Sequence, residues 1–92
     1  MTIRLTEAVA QAIASEFFSS LEDEERDGIG GRVDVQVANA RLAAIAAPDP
    51  DDVADAIWNA IDGVDKMLPE ECFVELVDVV DRRWVQILEV AA

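Results

Sequence analysis

The chain has 92 residues, enough for one small domain and too few for two. Apolar residues make up 52% of it, too high a content for a disordered acidic tail. The formal net charge is −13, from 20 acidic against 7 basic residues. This charge argues against binding nucleic-acid phosphates or an anionic membrane directly, since both need basic groups. We therefore expect one folded domain, residues 1–92, whose partners carry positive charge.

The compartment is inferred from signals that the sequence lacks. An amphipathic stretch follows Met1–Leu5 directly, without the apolar segment of a secretory signal. The longest apolar run, Leu42 to Ala47, has six residues, whereas a membrane span needs about 20. The single cysteine, Cys72, has no second cysteine to pair with in the chain. These features predict a cytoplasmic protein.

The first predicted element is an amphipathic helix from Leu5 to about Arg26. Its apolar side chains recur one turn apart, and its end carries a run of acidic residues. Gly28–Gly31 follows with three glycines in four positions, which a helix accommodates poorly. We expect the chain to break there.

The next segment can be interpreted in two ways. Val33, Val35 and Val37 alternate with polar residues, as in a strand. The alanine content and the three- and four-residue spacing of apolar side chains favour a helix instead. Because no second alternating run is available to pair with a strand, we expect a helix from about Asp34 to Ala46.

Two further helices have recognisable starts. Asp49 is a suitable N-cap and Pro50 suits the first helical position, so a helix should begin there and end near Lys66. Pro69 opens the last helix, which runs to about Val90. Four helices joined by short loops predict an all-α fold, a small four-helix bundle.

The last predicted helix is apolar on more than one face. Its broad stripe comprises Phe73, Leu76, Val77, Val80, Trp84, Ile87 and Leu88. Such a helix either lies at the centre of the fold or forms half of an oligomer interface, as in a homodimer. On its exposed flank, Asp78 and Arg82 stand four residues apart and predict an ion pair.

No catalytic or metal-binding pattern is present in the sequence. The chain has no histidine, the commonest general base and metal ligand. Cys72 follows two glutamates at a helix start and is interpreted as a packing residue. The glycine turn lacks the pattern of a phosphate-binding loop, and Val53 replaces a ligand of a calcium loop. We expect a protein that is not an enzyme and needs no cofactor or metal.

Two acidic segments hold the predicted partner-binding residues. The first segment precedes the glycine turn and comprises Glu22, Asp23, Glu24 and Glu25. The second is an outward stripe of the third helix, where Asp51, Asp55 and Asp62 are spaced by one or two turns and Trp58 lies at the edge. A tryptophan among exposed charges is typical of an interface anchor. The alternative is that Trp58 packs at the margin of the core and the acids are only solvated.

Two hypotheses of function follow. The first is a non-enzymatic inhibitor that occupies a basic surface of a partner protein, of the kind that normally binds nucleic acid. Phage anti-defence proteins such as anti-CRISPR proteins, DNA mimics, antitoxins and immunity proteins share this size and charge, and the link is one of physical properties alone. The second is an oligomeric assembly or adaptor protein that acts through its apolar C-terminal helix.

Overall fold

The computed structural model describes residues 3–23, 33–61 and 70–91, with side chains up to Glu89. These ranges hold five helices, which are α1 (Glu7–Ser19), α2 (Val35–Ala43), α3 (Pro50–Ala60), α4 (Glu70–Arg82) and α5 (Trp84–Ala91). The predicted all-α class is confirmed. The fourth predicted helix is in fact two helices, α4 and α5.

Helix α1 is shorter than the sequence predicts at both ends. It begins at Glu7 because Thr6 is its N-cap, whose hydroxyl accepts the Val9 N–H at 3.2 Å. It ends at Ser19 rather than near Arg26, because the Ser20 N–H and hydroxyl both turn back to the Phe17 carbonyl. The predicted glycine turn lies outside the described residues.

Helix α2 confirms the helical interpretation of the valine-rich segment. The Asp34 carboxylate caps it by accepting the Gln36 and Val37 N–H groups at 3.1 and 3.2 Å. The strand-like character survives at one residue, since Val33 forms an isolated antiparallel bridge with Ile61. The helix runs to Ala43, three residues short of the predicted end.

Helix α3 starts as predicted and ends early. Asp49 and Asp52 form a reciprocal capping box, with N–H to carboxylate distances of 2.9 and 3.1 Å. The predicted continuation to Lys66 is wrong, because Ile61 adopts an extended conformation and pairs with Val33. Residues 62–69 lie outside the described part of the chain.

A turn at Arg83 separates α4 from α5. The Arg83 N–H is shared between the carbonyls of Val79 and Val80, at 3.2 and 3.1 Å. The predicted pair of Asp78 with Arg82 is replaced by a longer-range contact, since the Arg82 guanidinium donates to Glu16 of α1. The predicted continuous helix is therefore interrupted at Arg83, beside the point where Arg82 contacts Glu16 of α1.

The core lies between α3, α4 and α1. Helix α3 packs against both α2 and α4, and α4 also contacts α1 and α5. Of the two positions considered for the apolar C-terminal segment, α4 therefore takes the central one. The largest fully buried side chains of these five helices are Ile13, Phe17, Leu42, Val53, Ile57, Leu76, Val79, Val80 and Ile87.

The segment before α1 is fixed to α2 through one side chain. The Asn39 amide accepts the Leu5 N–H at 2.8 Å and donates to the Leu5 carbonyl at 2.9 Å. Ile3 and Leu5 are buried in the core as a result. In the described ranges, no helix has the length and apolar content that crossing a bilayer requires.

Candidate functional site

The predicted acidic stripe lies on α3, with its carboxylates in different local settings. Asp51 is exposed and forms no ion pair within the described residues. Asp55 is also exposed, but its carboxylate lies 3.4 Å from the Arg41 guanidinium and accepts the Asn59 amide at 3.3 Å. Asp62 lies outside the described residues. Arg41 therefore neutralises part of the stripe.

Trp58 lies at the margin of the core. Its ring meets the Phe73 ring edge to face, with centroids 5.5 Å apart, and lies 6.3 Å from the Phe17 ring. Trp58 and Phe73 are half-buried, whereas Phe17 is fully buried. The indole thus has a structural role, and one part of it still faces solvent.

The predicted acidic block after α1 is described only in part. Glu22 and Asp23 are exposed and follow Leu21, which is buried. Glu24 and Glu25 lie outside the described residues. The convergence of this block with α3 stays a prediction.

The outward face of α4 is more acidic than either predicted segment. Its exposed carboxylates are Glu70, Glu71, Glu75, Asp78 and Asp81. They span a rise of about 17 Å, or about one carboxylate per 3–4 Å of helix axis. One DNA strand presents about one phosphate per 3.4 Å. We call these five residues the α4 acidic face.

Sequence reasoning missed the α4 acidic face although its signal is visible. Glu71, Glu75 and Asp78 are four and three residues apart, the spacing that places side chains on one side of a helix. The same segment also carries the longest apolar stripe, which predicts either a central helix or an oligomer interface. Both stripes exist, on opposite sides of α4.

Two arginines are bound to one glutamate at the junction of α4 and α5. The Glu16 carboxylate lies 2.8 Å from Arg82 and 3.2 Å from Arg83, and Arg83 also donates to Gln86 at 3.1 Å. The hydrogen bond from Arg82 is the main reason that the pKa of Glu16 is lowered, with Arg83 adding to it. The hydrogen bond to Glu16 also raises the pKa of Arg82, and the charges of Asp78 and Glu75 add to that rise.

The ion pairs determine how much negative charge faces outward. Arg41, Arg82 and Arg83 are three of the four basic residues in the described ranges, and all three contact carboxylates. Of the basic residues in the described ranges, Arg82 borders the α4 acidic face, and its guanidinium is bound to Glu16. Within the described part of the chain, none of these five carboxylates forms an ion pair.

The described surface contains grooves along α2. A groove of about 830 Å³ lies between the N-terminal segment and α2, lined by residues that include Arg4, Glu7 and Gln36. A smaller one, about 330 Å³, lies between α2 and α3 beside the pair of Arg41 and Asp55. Among residues 3–23, 33–61 and 70–89, no three acidic, cysteine or histidine side chains are placed to hold a metal ion.

Comparison with known proteins adds no relative. No family model, curated protein or solved structure matches the chain. The fold and surface alone therefore define its class, which is a small all-α protein with a strongly acidic outer helix.

Proposed function

We propose that this protein binds a basic surface of another protein and blocks it as an inhibitor. The natural ligand of that surface would be a nucleic acid, whose phosphates the carboxylates replace. The observation that carries the proposal is the α4 acidic face, with a charge density along its axis close to that of one DNA strand. The protein acts as a competitor in the manner of a DNA mimic, a phage anti-defence protein, an antitoxin or an immunity protein.

The inhibitor would act through charge and steric occlusion, without a catalysed reaction. Carboxylates fixed on a helix attract a basic partner over several ångströms and speed its association. Such attraction operates in the cytoplasm, where the Debye length is about 8 Å. Asp51 of α3 would supply further negative charge to the same partner, as would the block of Glu22 and Asp23 if it converges on that side of the fold.

Capture from a lysate of the producing cells tests this function. The tagged chain should retain a basic protein at about 50 mM salt and release it at about 500 mM, as the Debye length falls from about 14 to about 4 Å. A variant with Glu75→Lys and Asp78→Lys should lose that protein. A matched variant with Glu7→Lys and Glu89→Lys has the same net charge on other helices and should retain it.

Two results of the capture experiment would overturn the proposal. If both double variants retain the same partner equally, or if high salt leaves capture unchanged, the α4 acidic face is not the binding surface. Circular dichroism of each variant confirms that the helices persist, so that a loss of capture reports on binding.

A second candidate function is self-assembly through α5. Val85 is 69% exposed on this helix, and Glu89 is its only acidic residue, so like-charge repulsion between copies is weak there. An assembly protein of this kind would show a molar mass that rises with protein concentration in light scattering. A Val85→Glu variant should then remain monomeric, whereas Val37→Glu on α2 should not change the assembly.

A further inference from the structure

An aromatic path leads from the core of the protein to its surface between α3 and α4. Phe17 is fully buried, the Trp58 ring packs between Phe17 and Phe73, and Trp58 and Phe73 both retain contact with solvent. The two outer rings meet edge to face, which fixes their orientation. A rigid apolar surface is thus present beside the α4 acidic face.

Val74 extends this apolar surface outward. It follows Phe73 on α4 and is 60% exposed, and Val77 is half-buried one turn further along. A valine in the middle of an acidic helix face contributes nothing to solubility and little to the core. Together Trp58, Phe73, Val74 and Val77 form what we call the valine–aromatic patch.

Carboxylates surround the valine–aromatic patch. Glu70 and Asp78 lie one turn before and after Val74 on α4, and Asp81 lies one turn after Val77. On α3, Asp51 and Asp55 precede Trp58 by two turns and one turn. An apolar centre inside a charged rim is the usual organisation of a protein-binding surface.

The charge of the rim selects the occupant. A second copy of the chain docked on this patch would place the α4 acidic face of one copy beside that of the other, which is unfavourable. A segment with an apolar row flanked by lysines or arginines complements both the centre and the rim. We propose that the valine–aromatic patch binds a basic amphipathic helix of the partner, an inference that rests on the proposed function and names the recognition element.

A pair of designed peptides tests the inference. The first is a helix of about 18 residues with leucines along one side and lysines elsewhere, and the second replaces every leucine with alanine at the same charge. The full chain carries Trp84→Phe, so that Trp58 is the only fluorophore. We expect the leucine peptide to bind more tightly and to shift the Trp58 emission to shorter wavelength, because it excludes water from the indole.

Two matched valine variants locate the site. Val74→Ser should weaken binding of the leucine peptide about tenfold, the effect of losing one buried valine contact. Val85→Ser removes a valine of similar exposure from α5 and should leave the affinity unchanged. Both positions are exposed helix sites, so both variants should fold.

Each contrary result has a defined meaning. The inference about the valine–aromatic patch would be wrong if the two peptides bound equally, or if Val74→Ser and Val85→Ser had equal effects. Neither result contradicts an inhibitor that binds through charge alone. Failure of the inhibitor function itself appears separately, as lysate capture that does not respond to Glu75→Lys and Asp78→Lys.

Discussion

Trp58 connects the core of the protein with its candidate binding surface. Its contacts with Phe17 and Phe73 predict that Trp58→Ala lowers the free energy of unfolding by about 2 kcal/mol, less than for a fully buried tryptophan. Urea unfolding followed by circular dichroism measures this change. Val74→Ser is the control and should cost under about 0.5 kcal/mol, because Val74 is mostly exposed. A similar small loss for Trp58→Ala would show that the indole is not part of the core.

Glu16 gives the stability of the fold a defined pH dependence. Because two arginines lower the pKa of Glu16, its contribution is present above the ordinary value of 4.5 and is lost as the pH falls through the lower, folded value. Glu16→Gln should therefore destabilise the protein at pH 7 and have a progressively smaller effect below pH 4.5. Because both side chains of this ion pair contact solvent, the loss in the free energy of unfolding should be small.

The control for this pH effect is Glu89→Gln on α5. Glu89 is exposed and makes no hydrogen bond or ion pair within the described residues. Thermal unfolding of the two variants at several pH values separates a specific contact from the general removal of one negative charge. An equal pH profile for both variants would contradict the assignment to Glu16.

At the scale of the element, the start of α3 depends on Asp49. Asp49→Ala removes the capping box with Asp52 and should lower the free energy of unfolding by about 1 kcal/mol in urea denaturation. Asp51 lies in the same first turn but makes no capping bond. Asp51→Ala should therefore lower the free energy of unfolding by only a few tenths of a kcal/mol, through the helix dipole alone. Equal losses for the two variants would count against the cap.

The beginnings of α2 and α3 were predictable because their signals are local. Asp34 and Asp49 are capping residues whose hydrogen bonds reach only two or three positions along the chain. The ends of α3 and α4 were not predictable, since they coincide with partners distant in sequence. Ile61 pairs with Val33, and Arg83 with Glu16.

The sequence predicts that the candidate binding surface is acidic, but it does not predict which helix carries that surface. The net charge indicated an acidic binding surface, and helical spacing put Asp51 and Asp55 on one side of α3. Which carboxylates remain uncompensated depends on where the few arginines bind, and Arg41 is 14 residues away from Asp55 in sequence. The spacing of Glu71, Glu75 and Asp78 indicates the α4 acidic face in the sequence, but the binding of Arg82 to Glu16, 66 residues away, does not follow from any local pattern.

At the scale of the whole molecule, charge repulsion opposes folding. A net charge of −13 is held within a radius of gyration of 12.2 Å, so most carboxylates lie within about one or two Debye lengths of others. Adding salt should raise the melting temperature by several degrees between about 10 and 500 mM, because screened repulsion outweighs the weakened ion pairs. Differential scanning calorimetry measures this shift.

A matched variant tests the origin of the salt effect. Glu75→Lys with Asp78→Lys reduces the net charge and breaks the continuity of the α4 acidic face, so its melting temperature should depend less on salt. A melting temperature that falls with salt in the natural chain would show that the ion pairs of Glu16 and Arg41 outweigh repulsion.

The bridge between Val33 and Ile61 also has a consequence for the order of folding. It brings together the two ends of the α2–α3 hairpin, together with the hydrogen bond from Asp34 to Ala60 at 2.9 Å. Contacts inside this hairpin are close in sequence, whereas Glu16 and Arg82 are 66 residues apart. The chain between α1 and α4 contains this hairpin. Once the hairpin has formed, its residues no longer add to the flexible loop that is closed when α1 contacts α4, so closing that loop costs less entropy. We therefore predict that the hairpin forms first and that α1 docks on α4 late, an order that φ-values of variants in α1 and α2 would measure.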